Sequence, residues 1–99
     1  SEMPQVIWTP RALDDVKKLH GFISQKNKDA AGRAVSAIKG YTRLLEDTPE
    51  IGVPDKGDFY VYRDLIIPFG SSGYVLRYRI DDERVVILAV RHQKEAGFK

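Results

Sequence analysis

The sequence predicts a single α+β domain, in which a short N-terminal strand and an antiparallel helical hairpin pack on a C-terminal antiparallel β-sheet. Two observations predict it. Residues 10–47 repeat apolar side chains at steps of three and four, the period of helices that each bury one face. Residues 59–91 fall instead into three runs rich in Val, Ile, Leu and Tyr, separated by polar or glycine-containing turns, as hairpin-connected strands do. A chain of 99 residues is expected to form one domain over 1–99, with a modest core that requires no disulfide or metal.

Val6-Ile7-Trp8 read as the short strand, with Trp8 in the core; Ser1-Glu2-Met3 before it are given no role. Thr9-Pro10 then suit a helix start, the threonine as N-cap and the proline at the first helical position. Leu13, Val16, Leu19 or His20, and Ile23 give the first helix, predicted over 10–26, its apolar face, with His20 at the core edge; Asp14 and Asp15 suit its dipole. After a break at Asn27-Lys28-Asp29, the residues Ala31, Ala34, Val35, Ile38, Tyr41 or Thr42, and Leu45 define a second helix ending near Asp47. So short a connection forces the pair antiparallel.

Pro49, Gly52, Pro54 and Gly57 predict a loop over 48–58, with Glu50-Ile51-Gly52 as a docking corner. The strands follow as Phe59–Phe69, bending or splitting at Arg63-Asp64, then Tyr74–Ile80 and Arg84–Arg91. Gly70-Ser71-Ser72-Gly73 and Asp81-Asp82-Glu83 supply the turns. Alternation puts Tyr74, Leu76, Tyr78 and Ile80 on one face of the middle strand, and Val75, Arg77 and Arg79 on the other. Val85–Val90 is apolar throughout, which predicts a central strand covered on both sides. That strand ends in Arg91-His92-Gln93-Lys94-Glu95.

Composition excludes several functions. The sequence has no cysteine and two histidines, which argues against disulfides, thiolate chemistry and a zinc site; no metal or cofactor is expected. No stretch reaches membrane-spanning length and no secretory leader is evident, so a cytoplasmic location without membrane contact is expected. Net charge is only +2, too weak for a strong nucleic-acid binder by composition.

Two chemistries remain open at the end of the last strand. His92, flanked by Arg77, Arg79, Arg91 and Lys94, has the side chains for acid–base cleavage of RNA through 2′-hydroxyl attack. It better suits a partly exposed strand end whose histidine bonds a neighbouring backbone group or tyrosine. Tyr60, Tyr62, Tyr74 and Tyr78 offer rings for base stacking, but Tyr74 and Tyr78 alternate with core residues and read as core.

The ordered set Trp8-Thr9-Pro10, Pro49-Glu50-Ile51-Gly52, Arg63-Asp64-Leu65-Ile66-Ile67, Gly73–Arg79 and Val86–Glu95 resembles the RelE/ParE toxins of bacterial type II toxin–antitoxin modules. The likeness covers nearly the whole chain. It implies a toxin, associated with plasmid stabilisation, held inactive by a cognate antitoxin through which the pair reaches operator DNA. RelE-like members are ribosome-dependent mRNA endonucleases carrying a basic cluster on the sheet. This sequence has Leu65-Ile66-Ile67-Pro68-Phe69 and Val75 where that pattern places lysines and an arginine, leaving Arg77, Arg79, Arg91, His92 and Lys94 as the catalytic alternative. The resemblance to the ParE-like branch therefore implies a binding inhibitor of DNA gyrase. Arg77, Arg91, His92, Lys94 and Phe98, within the tail Ala96-Gly97-Phe98-Lys99, are the expected target contacts, and no catalytic residue is favoured. The alternatives are the ribosome and mRNA as targets, or a degenerate member that only binds antitoxin. The antitoxin is expected on the helical hairpin and an open sheet edge, with Ile51, Val53 and Phe59 as an anchor.

Overall fold

The computed structural model describes residues 4–56, 61–95 and 97–98. The expected Phe59 and Tyr60, and the tail residues Ala96 and Lys99, lie outside that set, as do residues 1–3. In chain order the elements are β1 (Gln5–Trp8), α1 (Pro10–Ser24), α2 (Lys28–Asp47), β2 (Val53–Lys56), β3 (Val61–Phe69), β4 (Ser72–Asp81) and β5 (Arg84–His92). The strands form one sheet in the order β1-β5-β4-β3-β2. It is mixed rather than purely antiparallel, because β1 joins it parallel to β5. The helices cover one face.

The first helix begins as predicted, while the second starts at Lys28, within the expected break, because Asn27 serves as its cap. Thr9 caps α1 by accepting from the Ala12 N–H at 3.2 Å, and Asn27 caps α2 through Ala30 at 3.0 Å. In α2 the buried stripe is Ala31, Ala34, Ile38, Thr42 and Leu45. In α1 it is Ala12, with Val16, Leu19 and Ile23 packed against the core. That phase corrects two expectations: Leu13 is 53% exposed, and His20 faces solvent rather than the core edge. The helix also stops at Ser24, two residues early, where the Lys26 and Asn27 N–H groups both turn back to the Ile23 carbonyl.

The predicted 48–58 loop contains a strand. Val53–Lys56 pairs antiparallel with β3, and Pro54 is tolerated because β2 is the sheet edge, where a missing N–H costs no ladder bond. No split occurs at Arg63-Asp64; both pair with β4 in a continuous strand. Trp8 packs against the core as expected, and Tyr74 and Tyr78 are core residues, while Ile80 at the end of its face is 38% exposed. The two hairpin turns are tighter than the polar segments suggested, two residues each, since Phe69 pairs with Ser72 and Asp81 with Arg84.

The unbroken apolar run of β5 has a specific cause. Arg77 pairs with Ala89 but Tyr78 with Ile87, so Leu88 is the extra residue of a β-bulge. Val85 and Ile87 face the helices before it, and Val90 and His92 after it. The outer-face residues Val86 and Ala89 are nonetheless 7% and 2% exposed, so the strand is buried on both sides.

Tyr78 is wholly buried and ties the edge of the sheet to the loop before it. Its hydroxyl donates to the Pro49 carbonyl at 2.6 Å and accepts from the Gly52 N–H at 2.8 Å. Arg63 adds bonds of 2.9 Å to the Glu50 and Gly52 carbonyls. Gly52 is needed here: a Cβ would come within 2.7 Å of the Tyr78 ring and hydroxyl. This is the docking corner expected at Glu50-Ile51-Gly52.

Two outcomes follow for stability. Tyr78→Phe strands the buried Gly52 N–H and should cost about 1–3 kcal/mol in urea unfolding, with Gly52→Ala at least as damaging. Burial pushes the Tyr78 phenol above its ordinary pKa of 10.0. The folded state therefore keeps a proton that the unfolded chain gives up above that pH. Stability from this group is complete below pH 10 and should fall as pH rises through the folded value; Tyr78→Phe should flatten that decline, leaving the share from Tyr74, also raised by burial.

Candidate functional site

The far end of β5 is held open by the way β1 leaves the sheet. Pairing of β1 with β5 stops at Trp8 and Ile87, after which the edge of β5 needs other partners. Thr9 supplies them: its N–H and hydroxyl donate to the Ile87 carbonyl at 3.1 and 2.8 Å, and the hydroxyl also reaches Leu88 O at 3.2 Å. One turn further along α1, Asp15 accepts from the Val90 N–H at 3.0 Å. Neither Asp14 nor Asp15 lies in the first helical turn where the dipole would act. Asp15 serves the sheet, and Asp14 pairs with Lys18 at 3.0 Å.

Beyond that point the candidate residues separate into two groups. On the outer face, Arg77 of β4 and Arg91 of β5 lie against the Phe98 ring, their guanidinium carbons 4.5 and 4.9 Å from its centroid. Arg77 also lies 5.4 Å from the Tyr62 ring centroid. It is far from a free cation: Asp64 holds it through bonds of 2.9 and 3.1 Å, and Asp55 binds the same Nη2. The Asp64 bond raises its pKa further, with burial opposing. Arg79 contacts Asp81 only at 3.9 Å and stays 41% exposed. Arg91 folds over the following turn, donating to the carbonyls of His92, Gln93 and Glu95 at 3.2, 3.4 and 2.9 Å.

His92 and Lys94 face the helix side. The His92 ring meets Tyr74 edge-on at 5.7 Å, and its Nδ1 accepts from the Lys94 N–H at 3.1 Å. That bond assigns the ring proton of the neutral form to Nε2. The His92 N–H in turn donates to the Glu95 carboxylate at 3.1 Å. These residues border a groove of about 960 Å³ between α1 and the C-terminal turn, with Leu19, Phe22, Ile23, Tyr74 and Val90 as apolar lining and Arg11, Lys18 and Lys94 among its charges. Phe22 is 70% exposed. The other expected anchor is split: Ile51 and Val53 are 45% and 66% exposed beside β2, while Phe59 lies outside the described residues.

Reasoning from sequence missed Asp55, Asp64 and Asp15. Asp64 was legible in part, since an acid beside a predicted strand opposite an arginine-bearing strand is a cross-strand pair once the register is known. Asp55 required β2, which the prolines concealed.

Known proteins match the chain along most of its length. The family described as "ParE toxin of type II toxin-antitoxin system, parDE" matches residues 6–97. Among curated relatives, "Toxin RelE3" of Caulobacter vibrioides is 33% identical over 94% of this chain and 98% of its own length. "Putative toxin Y4kP" of Sinorhizobium fredii is 32% identical over 89% and 86%. A solved structure described as "Chromosomal ParDE TA system from P. aeruginosa" has the same fold, with a TM-score of 0.75 at 18% identity, covering 95% of this chain and all of that one.

The Asp15 bond to Val90 makes a quantitative test of how the strand end is held. Asp15→Ala should cost about 1–2 kcal/mol in urea unfolding because a backbone donor loses its partner, whereas Asp15→Asn, which keeps an acceptor oxygen, should recover much of the loss.

Proposed function

Because the chain belongs to the ParE toxin family of type II toxin–antitoxin systems, we propose that it acts by binding DNA gyrase rather than by cutting RNA. The observation that carries this reading is the state of Arg77. Phosphoryl transfer calls for cationic groups free to meet a developing negative charge, yet Arg77 is already neutralised by Asp64 and Asp55. His92 points the same way. Its Nδ1 lone pair is engaged by a backbone N–H and its Nε2 carries the ring proton, so the neutral ring offers a hydrogen-bond donor rather than a ready base.

Contact with the enzyme target is assigned to the strand-end surface of Arg91, His92 and Lys94 together with Phe98. The cognate antitoxin is assigned to α1, where exposed Phe22 and the groove beside it accept an amphipathic segment that orders on binding. Operator DNA is reached through the antitoxin.

A second reading has one observation in its favour: the relatives from Caulobacter vibrioides carry RelE names. Ribosome-dependent mRNA cleavage would draw on Arg79, Arg91, His92 and Lys94, with Arg77 pulled from Asp64.

Purified chain added in stoichiometric excess should block supercoiling in a gyrase assay, and Arg91→Ala should weaken the block. Unaffected supercoiling would reject the proposal. Expression without antitoxin should arrest growth while leaving mRNA intact; cleaved mRNA that becomes whole again in His92→Ala would establish the second reading. Absence of growth arrest would leave a chain that only binds antitoxin.

A further inference from the structure

We propose that Arg77 and Arg91 form an aromatic-recognition slot, closed in the free protein by Phe98 of the same chain and opened to take an aromatic side chain from a protein partner. The proposal rests on reading this face as contact surface, but not on which protein is contacted.

The register builds the slot. Arg77 pairs with Ala89 and Val75 with Arg91, so on the outer face the two arginines occupy one diagonal of a four-residue square and Val75 and Ala89 the other. The latter are 3% and 2% exposed and small, which gives the square an apolar floor. The guanidinium groups rise from it and contact the Phe98 ring at 4.5 and 4.9 Å. Arginine planes favour a π-face electrostatically and by stacking.

One further observation favours an aromatic ring over an anion, and another shows that the ring fits the donors present. Asp64 and Asp55 have already satisfied the charge of Arg77 and would repel an approaching phosphate. Arg91 Nε is buried and has no hydrogen-bond partner among the described residues; an aromatic face is a weak acceptor for such a donor.

The occupant is built to leave. The turn after β5 is pinned as far as Glu95, whose N–H, carbonyl and carboxylate are all bonded. Phe98 lies beyond this anchor, on the far side of Gly97, whose φ of +127° is a conformation that side-chain-bearing residues rarely adopt. Rotation about that glycine lifts the ring without disturbing the pinned turn. The vacated slot then presents two guanidinium faces to an incoming ring.

Two-dimensional NMR of the full chain tests both halves. In the wild type, the Nε–H resonances of Arg77 and Arg91 should carry an upfield ring-current shift that Phe98→Ala removes and Phe98→Tyr keeps; no change in Phe98→Ala would overturn the closed state. An acetylated peptide of the sequence EAGFK should then shift the same resonances. It should bind the wild type about fivefold or more weakly than Phe98→Ala, because only the open fraction accepts it, and the same peptide with leucine for phenylalanine should not bind. Equal affinity for both proteins, or no binding to either, would overturn the slot. Adenosine monophosphate shifting these resonances at lower concentration than the peptide would overturn the protein partner in favour of a nucleobase. A gyrase assay without inhibition alongside a positive peptide titration would reject the target while leaving the slot standing.

Discussion

One hydroxyl sets the geometry on which the rest of the fold depends. Thr9 stands where the chain must stop being a strand and become a helix, and its side chain accepts from the first turn of α1 while donating to the carbonyls of β5. A strand that ended without such a group would leave both the helix N–H groups and the sheet edge unpaired. Because the bonds converge on one atom, the start of α1 is fixed against β5. That fixes the helical phase, and with it which residues of α1 reach the core: Ala12, Val16, Leu19 and Ile23 rather than Leu13. Asp15 lands opposite Val90 for the same reason.

The functional end of the molecule inherits this constraint. With α1 fixed, its exposed stripe and the turn after β5 enclose the groove that His92 and Lys94 border, while the bulge at Leu88 shifts the strand so that Arg91 points to the opposite face. Arg91 and His92 thus leave opposite faces of the strand, yet both reach the rim of that groove, as does Phe98. Electrostatics divides them further. On the outer face Arg77 is compensated by two carboxylates and stacked with rings. On the helix side apolar lining and mixed charge suit an amphipathic segment.

Periodicity in the sequence fixes the secondary structure well because most elements bury one face and say so. The helical cap at Thr9, both hairpins, and the core placement of Tyr74 and Tyr78 were legible in this way, whereas the cap at Asn27 was hidden in what reads as a break. What escaped depended on pairing. Val53–Lys56 looks like a loop because its proline and the glycines on either side of it obey edge-strand rules rather than those of a sheet interior. The parallel pairing of β1 has no local signature, since its partner lies at the other end of the chain. Bulges are equally silent: Leu88 is one apolar residue in a run of six, and only the shift from Ala89 to Ile87 against consecutive residues of β4 reveals it. At the candidate site the residue types were visible and their states were not. Arg77 reads as a free cation until Asp64 and Asp55 are placed beside it.

The parallel pairing of β1 with β5 has a consequence for how the protein comes into being. Among the described residues, Gln5–Trp8 find their strand partner in Arg84–Ile87 alone, so ordering this strand waits on closing a loop that holds both helices and the other three strands. As the chain is synthesised, β1 and the helical hairpin emerge with Ala34, Ile38 and Leu45 uncovered, and the sheet they require is completed by its last strand. The strand that closes the core is also the one that carries Arg91 and His92. Chains released before that point lack the last strand of the core and, with it, Arg91 and His92.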